Sequence, residues 1–168
     1  MPDGYYCVEP GKFGGQDPWC PKNSGDRYIG KRTLKNALAN SVNTISARLI
    51  DRVGPRPVAN LAKDLGVSSQ IPNVPAIALG SPDLSVYEMV GAYSSFANKG
   101  IYIKPEIITR IEDKNGTTIF QPTPITKDVI SEESAYVTLK LLEGVTEAGS
   151  GIRLRHRGAD EYLSLIHI

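Results

Sequence analysis

This chain has little of what marks the specialised classes of protein. Its 168 residues hold two cysteines, two histidines, two methionines and one tryptophan. There is no C-x-x-C pair and no cluster of Cys with His, so a structural zinc site is not expected, and His156 reads as a surface residue rather than a ligand. No apolar run approaches membrane-spanning length, and MPDGYYCVEP at the start has no signal-peptide pattern. If the parent protein is exported or anchored, that signal lies outside this chain. No basic run or basic-aromatic patch points to nucleic acid, and a net charge of +1 selects no partner. Cys7 and Cys20 share one Gly/Pro-rich segment. They read either as one disulfide in an oxidising compartment or as two free thiols.

What is present is ordinary for one domain or a piece of one. Apolar residues make up 40% and charged residues 22%, while 16 glycines and 12 prolines promise many turns. Residues 1–32 are dense in Gly, Pro, Asn and Asp and read as irregular, with Trp19 and Tyr28 as anchors on a core. Thr33 is placed to cap a helix carrying Leu34, Ala37 and Leu38. Ile45, Leu49, Ile50 and Val53 form a second stripe closed by Gly54, and Val58, Leu61, Ala62 and Leu65 a third, ended by Gly66. A loop over 67–82 contains the short apolar run Ala76–Leu79. Ser85 then caps a helix whose stripe of Val86, Met89, Val90, Tyr93 and Phe96 or Ala97 reads as a buried face, with Gly100 as its left-handed terminal residue. A hairpin near 106–120 follows from two β-rich runs around Asp113-Lys114-Asn115-Gly116. Ser131 caps a last helix with Glu132 and Glu133 in its first turn. Ala135, Leu139, Leu142 and Val145 face its core, and Gly149-Ser150-Gly151 ends it.

The chemically interesting feature is the polar break Asn40-Ser41-Val42-Asn43 between the first two helical stripes. Such a break leaves backbone groups unpaired and can present short side chains to a cleft. Ser41 supplies a hydroxyl that donates and accepts, and Asn43 an amide that can hold a peptide group at its N–H and its C=O. Alone, Ser-x-Asn is weak, since it occurs by chance roughly once in a few hundred residues. A helix-capping pair explains the tripeptide equally well.

The surroundings add a resemblance. WCPKN, then YIGKRTLKNALANSVN, then ALGSPDLSVYEMVGAYSSFANKGIYIKPEIITRIEDKNG resemble, in order and spacing, the transpeptidase domain of class A penicillin-binding proteins, the bifunctional peptidoglycan synthases. The likeness runs from about Trp19 to about Arg155, and EAGSGIRLR resembles the Gly-rich stretch before the family's third motif. Three motifs meet in that family's cleft: S-x-x-K with the serine nucleophile, S-x-N, and K-T-G. Ser41 and Asn43 match S-x-N. The resemblance implies an α+β fold of the penicillin-binding-protein and serine-β-lactamase type. Here it would be mostly the helical lobe with one hairpin, the central sheet being largely missing. It implies Ser41 as a proton relay and Asn43 as a substrate-binding amide. The reaction would be serine acyl transfer on the D-Ala-D-Ala end of peptidoglycan stem peptides, imitated by β-lactams, with no cofactor and no metal. The location implied is the outer face of a bacterial inner membrane, through an anchor not present in this chain, with a glycosyltransferase domain upstream.

The other two motifs are missing. None of the ten lysines has a serine three residues earlier, and no K-T-G occurs, so no nucleophile is expected in this chain. The expectation is an internal piece, 1–162, of a transpeptidase domain, inactive by itself. Its irregular segment would be 1–32 and its helical lobe 33–162. Residues 163–168, LSLIHI, resemble a translated sequencing adapter and are expected to be non-native, a native apolar tail being the competing reading. Other functions weighed are a serine β-lactamase, a carboxypeptidase, a monofunctional cross-linking enzyme, a penicillin sensor, a non-catalytic scaffold and a generic helical binding module. For the β-lactamase, the first glutamate after Asn43 is Glu88, which reads here as part of a solvated helix face.

Overall fold

The computed structural model describes residues 1–155, Leu154 and Arg155 by their backbone; His156 and the 163–168 tail lie outside the described residues. In chain order come β1 (Pro2–Asp3), β2 (Gly30–Lys31), α1 (Leu34–Ala39), α2 (Asn43–Val53), α3 (Pro55–Asp64) and α4 (Val86–Ala97). They are followed by β3 (Ile101–Ile103), β4 (Ile111–Glu112), β5 (Thr118–Phe120), β6 (Thr126–Asp128), α5 (Glu132–Ala148) and α6 (Ile152–Arg155). The architecture is α+β and mostly helical. Among the described residues no sheet has more than two strands: β1 pairs with β2, β3 with β6 and β4 with β5, all antiparallel.

Local chemistry sets the helix starts. Thr33, Ser85 and Ser131 each hold extended backbone and accept the N–H of the residue three positions on, satisfying a donor the helix cannot. Ser85 and Glu88 form a full capping box. The loop over 67–82 contains a 3-10 turn, Pro75–Leu79. The turn 113–116 closes the β4–β5 hairpin on Gly116 at φ 83, a conformation open to glycine without a Cβ clash.

Three helices end on one device. After α3, Gly66 is left-handed, its N–H bonds the Lys63 carbonyl, and the Val67 N–H bonds the Ala62 carbonyl. After α1, Ser41 takes the same place, its N–H on Leu38 and the Val42 N–H on Ala37. Both are Schellman ends. After α4 two residues in a row have positive φ, Lys99 and the glycine expected from the sequence, Gly100, whose N–H reaches the Ser95 carbonyl.

Two corrections concern α4. Most of its apolar stripe does not face the core: Val86 is 80% exposed, Met89, Val90 and Tyr93 are also exposed, and of the stripe Phe96 packs on the core. The buried residues are Glu88, Gly91, Ala92 and Ser95. The inward face has to be small, because the Tyr102 ring and Pro105 close on Gly91, and Ala92 packs with Leu65 and Val67. Nor does Glu88 lie on a solvated face. It is 6% exposed, and its carboxylate accepts from the N–H groups of Ser68, Ser69 and Ser85 and from their three hydroxyls. These six bonds tie the 67–69 turn to the start of α4.

The segment before α1 is irregular apart from β1, β2 and a 3-10 turn at Ser24–Asp26. Cys7 and Cys20 are joined as a disulfide, so of the two readings of the pair the structure contains the bond. Beside it Val8 and Trp19 exchange backbone hydrogen bonds of 2.9 and 3.0 Å. Trp19 and Tyr28 are half-buried.

Candidate functional site

The polar break is a sharp corner between α1 and α2, a notch in the helical pattern. The Schellman end turns the chain sharply at Ser41, and the contact such an end needs is present: Val42 packs with Ala37, and with Ile45 from the first turn of α2. Ala37, Val42 and Ile45 are buried, whereas Ser41 is exposed and Asn43 half-buried. Burying the valine between the two polar residues pins the backbone and leaves both polar side chains at the surface. Ser41 has φ 51, which costs a residue with a Cβ about 1 kcal/mol or more that glycine would not incur. Its hydroxyl makes no side-chain hydrogen bond among the described residues.

The start of α2 is capped unusually. Its N-cap residue is Val42, which has no side-chain acceptor. The acceptor comes from 21 residues away: Asn23 Oδ1 takes the Thr44 N–H at 3.1 Å. The Asn23 amide nitrogen donates to Asp3 Oδ1 at 2.6 Å and to the Arg27 carbonyl at 3.0 Å. Asp3, 5% exposed, also accepts from the Thr44 hydroxyl, the Ile29 N–H and the Arg32 guanidinium. Burial would raise the Asp3 carboxyl, but the Ile29 N–H, Asn23, Thr44 and the Arg32 charge outweigh it and hold it below the ordinary range. The neighbouring Lys22 carbonyl accepts the Asn43 side-chain N–H at 2.8 Å.

These bonds fix which way both amides point. A backbone carbonyl and a carboxylate can only accept, and a backbone N–H can only donate. Asn43 therefore turns its nitrogen to Lys22, and its oxygen accepts no hydrogen bond among the described residues. That oxygen, one further amide hydrogen and the Ser41 hydroxyl are the groups the notch offers a ligand.

The Gly-rich stretch lies against the same notch. The Ser150 N–H bonds the Ala39 carbonyl at 3.0 Å, satisfying an end group of α1 two residues before Ser41. A Cβ on Gly149 would collide with that carbonyl and with the Val145 carbonyl. Farther along, Gly144 of α5 sits on the Lys35 stem, and Lys35 pairs with Glu147 at 2.6 Å. Thus 149–151 and 40–43, over a hundred residues apart in sequence, share one corner.

The rest of the irregular segment runs along α2. Asp51 near its far end accepts from the Tyr6 hydroxyl and the Lys12 ammonium, both at 2.7 Å, and the Arg48 guanidinium stacks 4.1 Å from the Tyr6 ring. Sequence reasoning found Ser41 and Asn43 but gave no role to Asp3 or Asn23. The block WCPKN contains Asn23, yet nothing local reveals a partner 21 residues on. Among the described residues no three His, Cys, Asp or Glu side chains gather as a metal site, and no helix is long and apolar enough to cross a membrane.

The family described as "Penicillin binding protein transpeptidase domain" matches residues 1–162. Penicillin-binding protein 1A of Aquifex aeolicus is 34% identical over 149 residues, covering 89% of this chain and 20% of that protein. Penicillin-binding protein 1B of Haemophilus influenzae is 33% identical over 151 residues, covering 89% of this chain and 19% of that protein. The crystal structure of penicillin-binding protein 1A from Haemophilus influenzae superposes with a TM-score of 0.83 at 26% identity, over 93% of this chain and 28% of that one. Penicillin-binding protein 3 of Mycobacterium tuberculosis, complexed with aztreonam, shares the fold at a TM-score of 0.70 and 20% identity, over 88% of this chain and 37% of that one. The chain spans about a fifth of the length of the curated relatives it matches.

Proposed function

The chain belongs to the penicillin-binding-protein transpeptidase family, and from that premise we propose that it is part of a D,D-transpeptidase that cross-links peptidoglycan stem peptides. The observation that carries the reading is the oriented pair at the notch, an exposed Ser41 hydroxyl beside an Asn43 amide whose oxygen is left open. A serine supplied by another part of the parent protein attacks the penultimate D-Ala carbonyl. The C–N bond to the terminal D-Ala breaks and that residue leaves with a proton. An amine from a second stem peptide then takes the acyl group and releases the serine. In this scheme Ser41 passes the proton between the nucleophile and the leaving amine. Asn43 accepts a peptide N–H from the substrate and holds the scissile carbonyl in register. β-Lactams enter by the same contacts and stay as acyl-enzymes. The parent protein carries a membrane anchor and a glycosyltransferase domain and works on the extracytoplasmic face of the membrane. Residues 1–162 are the transpeptidase portion here, and 163–168 are not native to it.

In the best-known class of serine β-lactamases of this fold a glutamate activates the deacylating water. Glu88 is unsuited to that work. The N–H groups of Ser85 and Ser69 and the Ser85 and Ser68 hydroxyls hold its carboxyl far below the ordinary glutamate range, and both oxygens are occupied. That favours the transpeptidase.

Labelling with a fluorescent penicillin, followed by a denaturing gel, tests the assignment. The full-length protein should carry a covalent band, and the 168-residue chain should carry none because it has no S-x-x-K serine. A band on the short chain, or none on the full-length protein, contradicts the proposal.

A further inference from the structure

Resting on the reading of Asn43 as the substrate-binding amide, we infer that Asn23 is a positioning residue for the site, held in place by Asp3 and acting through Asn43. The inference stands on a chain of bonds with a single consistent direction. Asp3 is fixed by the Ile29 N–H and the Arg32 guanidinium. It holds the Asn23 nitrogen at 2.6 Å, which aims the Asn23 oxygen at the Thr44 N–H. The next peptide back, Lys22, presents its carbonyl to the Asn43 side chain at 2.8 Å. One short segment, 22–23, therefore grips two successive residues of α2, one by its backbone and one by its side chain.

Two features separate this from a simple helix cap. A cap would be local, whereas here the N-cap position holds Val42, whose side chain is committed to the core. A cap also leaves its neighbours' side chains unconstrained, whereas this one sets the rotation of the Asn43 amide. Without the Lys22 carbonyl, the amide could present nitrogen or oxygen to a substrate N–H, and only the oxygen can accept it. Asn23 keeps the Lys22 carbonyl where it selects the productive orientation. The positioning chain is anchored behind the site: Thr44 is fully buried and its hydroxyl reaches Asp3 at 3.0 Å.

The test is a double-mutant cycle in the full-length protein, with the second-order rate constant for acylation by a fluorescent penicillin as the readout. The final labelled fraction counts folded enzyme separately. Asn23→Ala should slow acylation about tenfold to a hundredfold while the labelled fraction still reaches its wild-type value. Asn43→Ala should slow it more. The double variant should be no slower than Asn43→Ala alone, because Asn23 has nothing left to act through. An unchanged rate for Asn43→Ala overturns the transpeptidase role of Asn43 and this inference with it. A slow Asn43→Ala beside a wild-type rate for Asn23→Ala overturns this inference only. So does a double variant slowed by the product of the two single effects, or an Asn23→Ala that lowers the labelled fraction and leaves the rate constant intact. If Asn23→Ala gives no labelled protein, Asn23→Asp, which keeps the side-chain shape and the acceptor for Thr44 but cannot donate to Asp3, takes its place in the cycle under the same criteria.

Discussion

Ser41 and Gly66 occupy the same position at the ends of two helices, left-handed, with the same pair of closing hydrogen bonds. After α3 the chain uses glycine at this position; at the notch it uses serine and accepts the strain, as it does with Lys99 after α4. A residue that costs stability and exposes a hydroxyl fits the working role proposed for Ser41.

Ser41→Gly should therefore stabilise the fold, by up to about 1 kcal/mol once the extra freedom of glycine in the unfolded chain is set against the relieved strain. Acylation of the full-length protein should fall at the same time. Urea unfolding read alongside penicillin labelling checks both halves. A destabilised Ser41→Gly would make the hydroxyl a structural group.

Gly149 is the opposite case, a residue defined by contact. Its position between the Ala39 and Val145 carbonyls admits no side chain, and both obstacles are backbone. Gly149→Ala should cost roughly 1–3 kcal/mol in urea unfolding. Gly80→Ala, where nothing lies within 4 Å, pays only for its left-handed backbone and should cost less.

Acid should destabilise this protein in part through two buried carboxylates, Asp3 and Glu88. Asp3 and Glu88 both lie below their ordinary values when folded, Asp3 against burial and Glu88 chiefly through the Ser85 and Ser69 N–H groups. A group lowered by folding binds more protons in the unfolded chain. Its contribution is whole above the unfolded value and is lost as pH falls through the folded one. Stability should thus decline from about pH 5 downward, and the decline should be shallower in Glu88→Gln, which is less stable at neutral pH. Urea midpoints across the acid range measure this. Equal slopes in the two proteins would remove Glu88 from the account.

The same Glu88→Gln change bears on turnover of the drug. The lifetime of the penicilloyl-enzyme should be unchanged, because Glu88 faces three serines and directs no water. A lengthened lifetime, followed by the loss of label with time, would return the β-lactamase reading.

The Cys7–Cys20 bond closes a loop 13 residues apart, for which chain-entropy arguments give about 3 kcal/mol. Reduction, or Cys7→Ser with Cys20→Ser, should lower the melting temperature by a corresponding amount. A melting curve indifferent to reductant would show that Tyr6 and Lys12 on Asp51 hold the segment without the disulfide.

Features fixed within a few residues were legible in the sequence. Thr33, Ser85 and Ser131 cap helices because a hydroxyl three positions before an N–H is a local geometric fact, and Gly54, Gly66 and Gly116 turn the chain for a similar reason. Features fixed by distant partners were not. Most of the apolar stripe of α4 pointed to the wrong face, since what matters there is the closeness of Tyr102 and Pro105 to Gly91. The β3–β6 pair joins residues about 25 apart, and neither strand alternates polarity strongly enough to announce its partner. At the notch, Ser41 and Asn43 stood out as polar residues interrupting a helical pattern. Asp3 and Asn23 stood in a turn-rich stretch where any Asp or Asn looks like loop chemistry.

The most direct test of the central claim is a crystal structure of the full-length protein acylated by a β-lactam. The account predicts an Asn43 side-chain amide within about 2.7–3.2 Å of the drug's own amide, still bonded to the Lys22 carbonyl, with the Ser41 hydroxyl facing the acylated serine. A bound drug that leaves Asn43 touching only Lys22, and Ser41 only solvent, would contradict it.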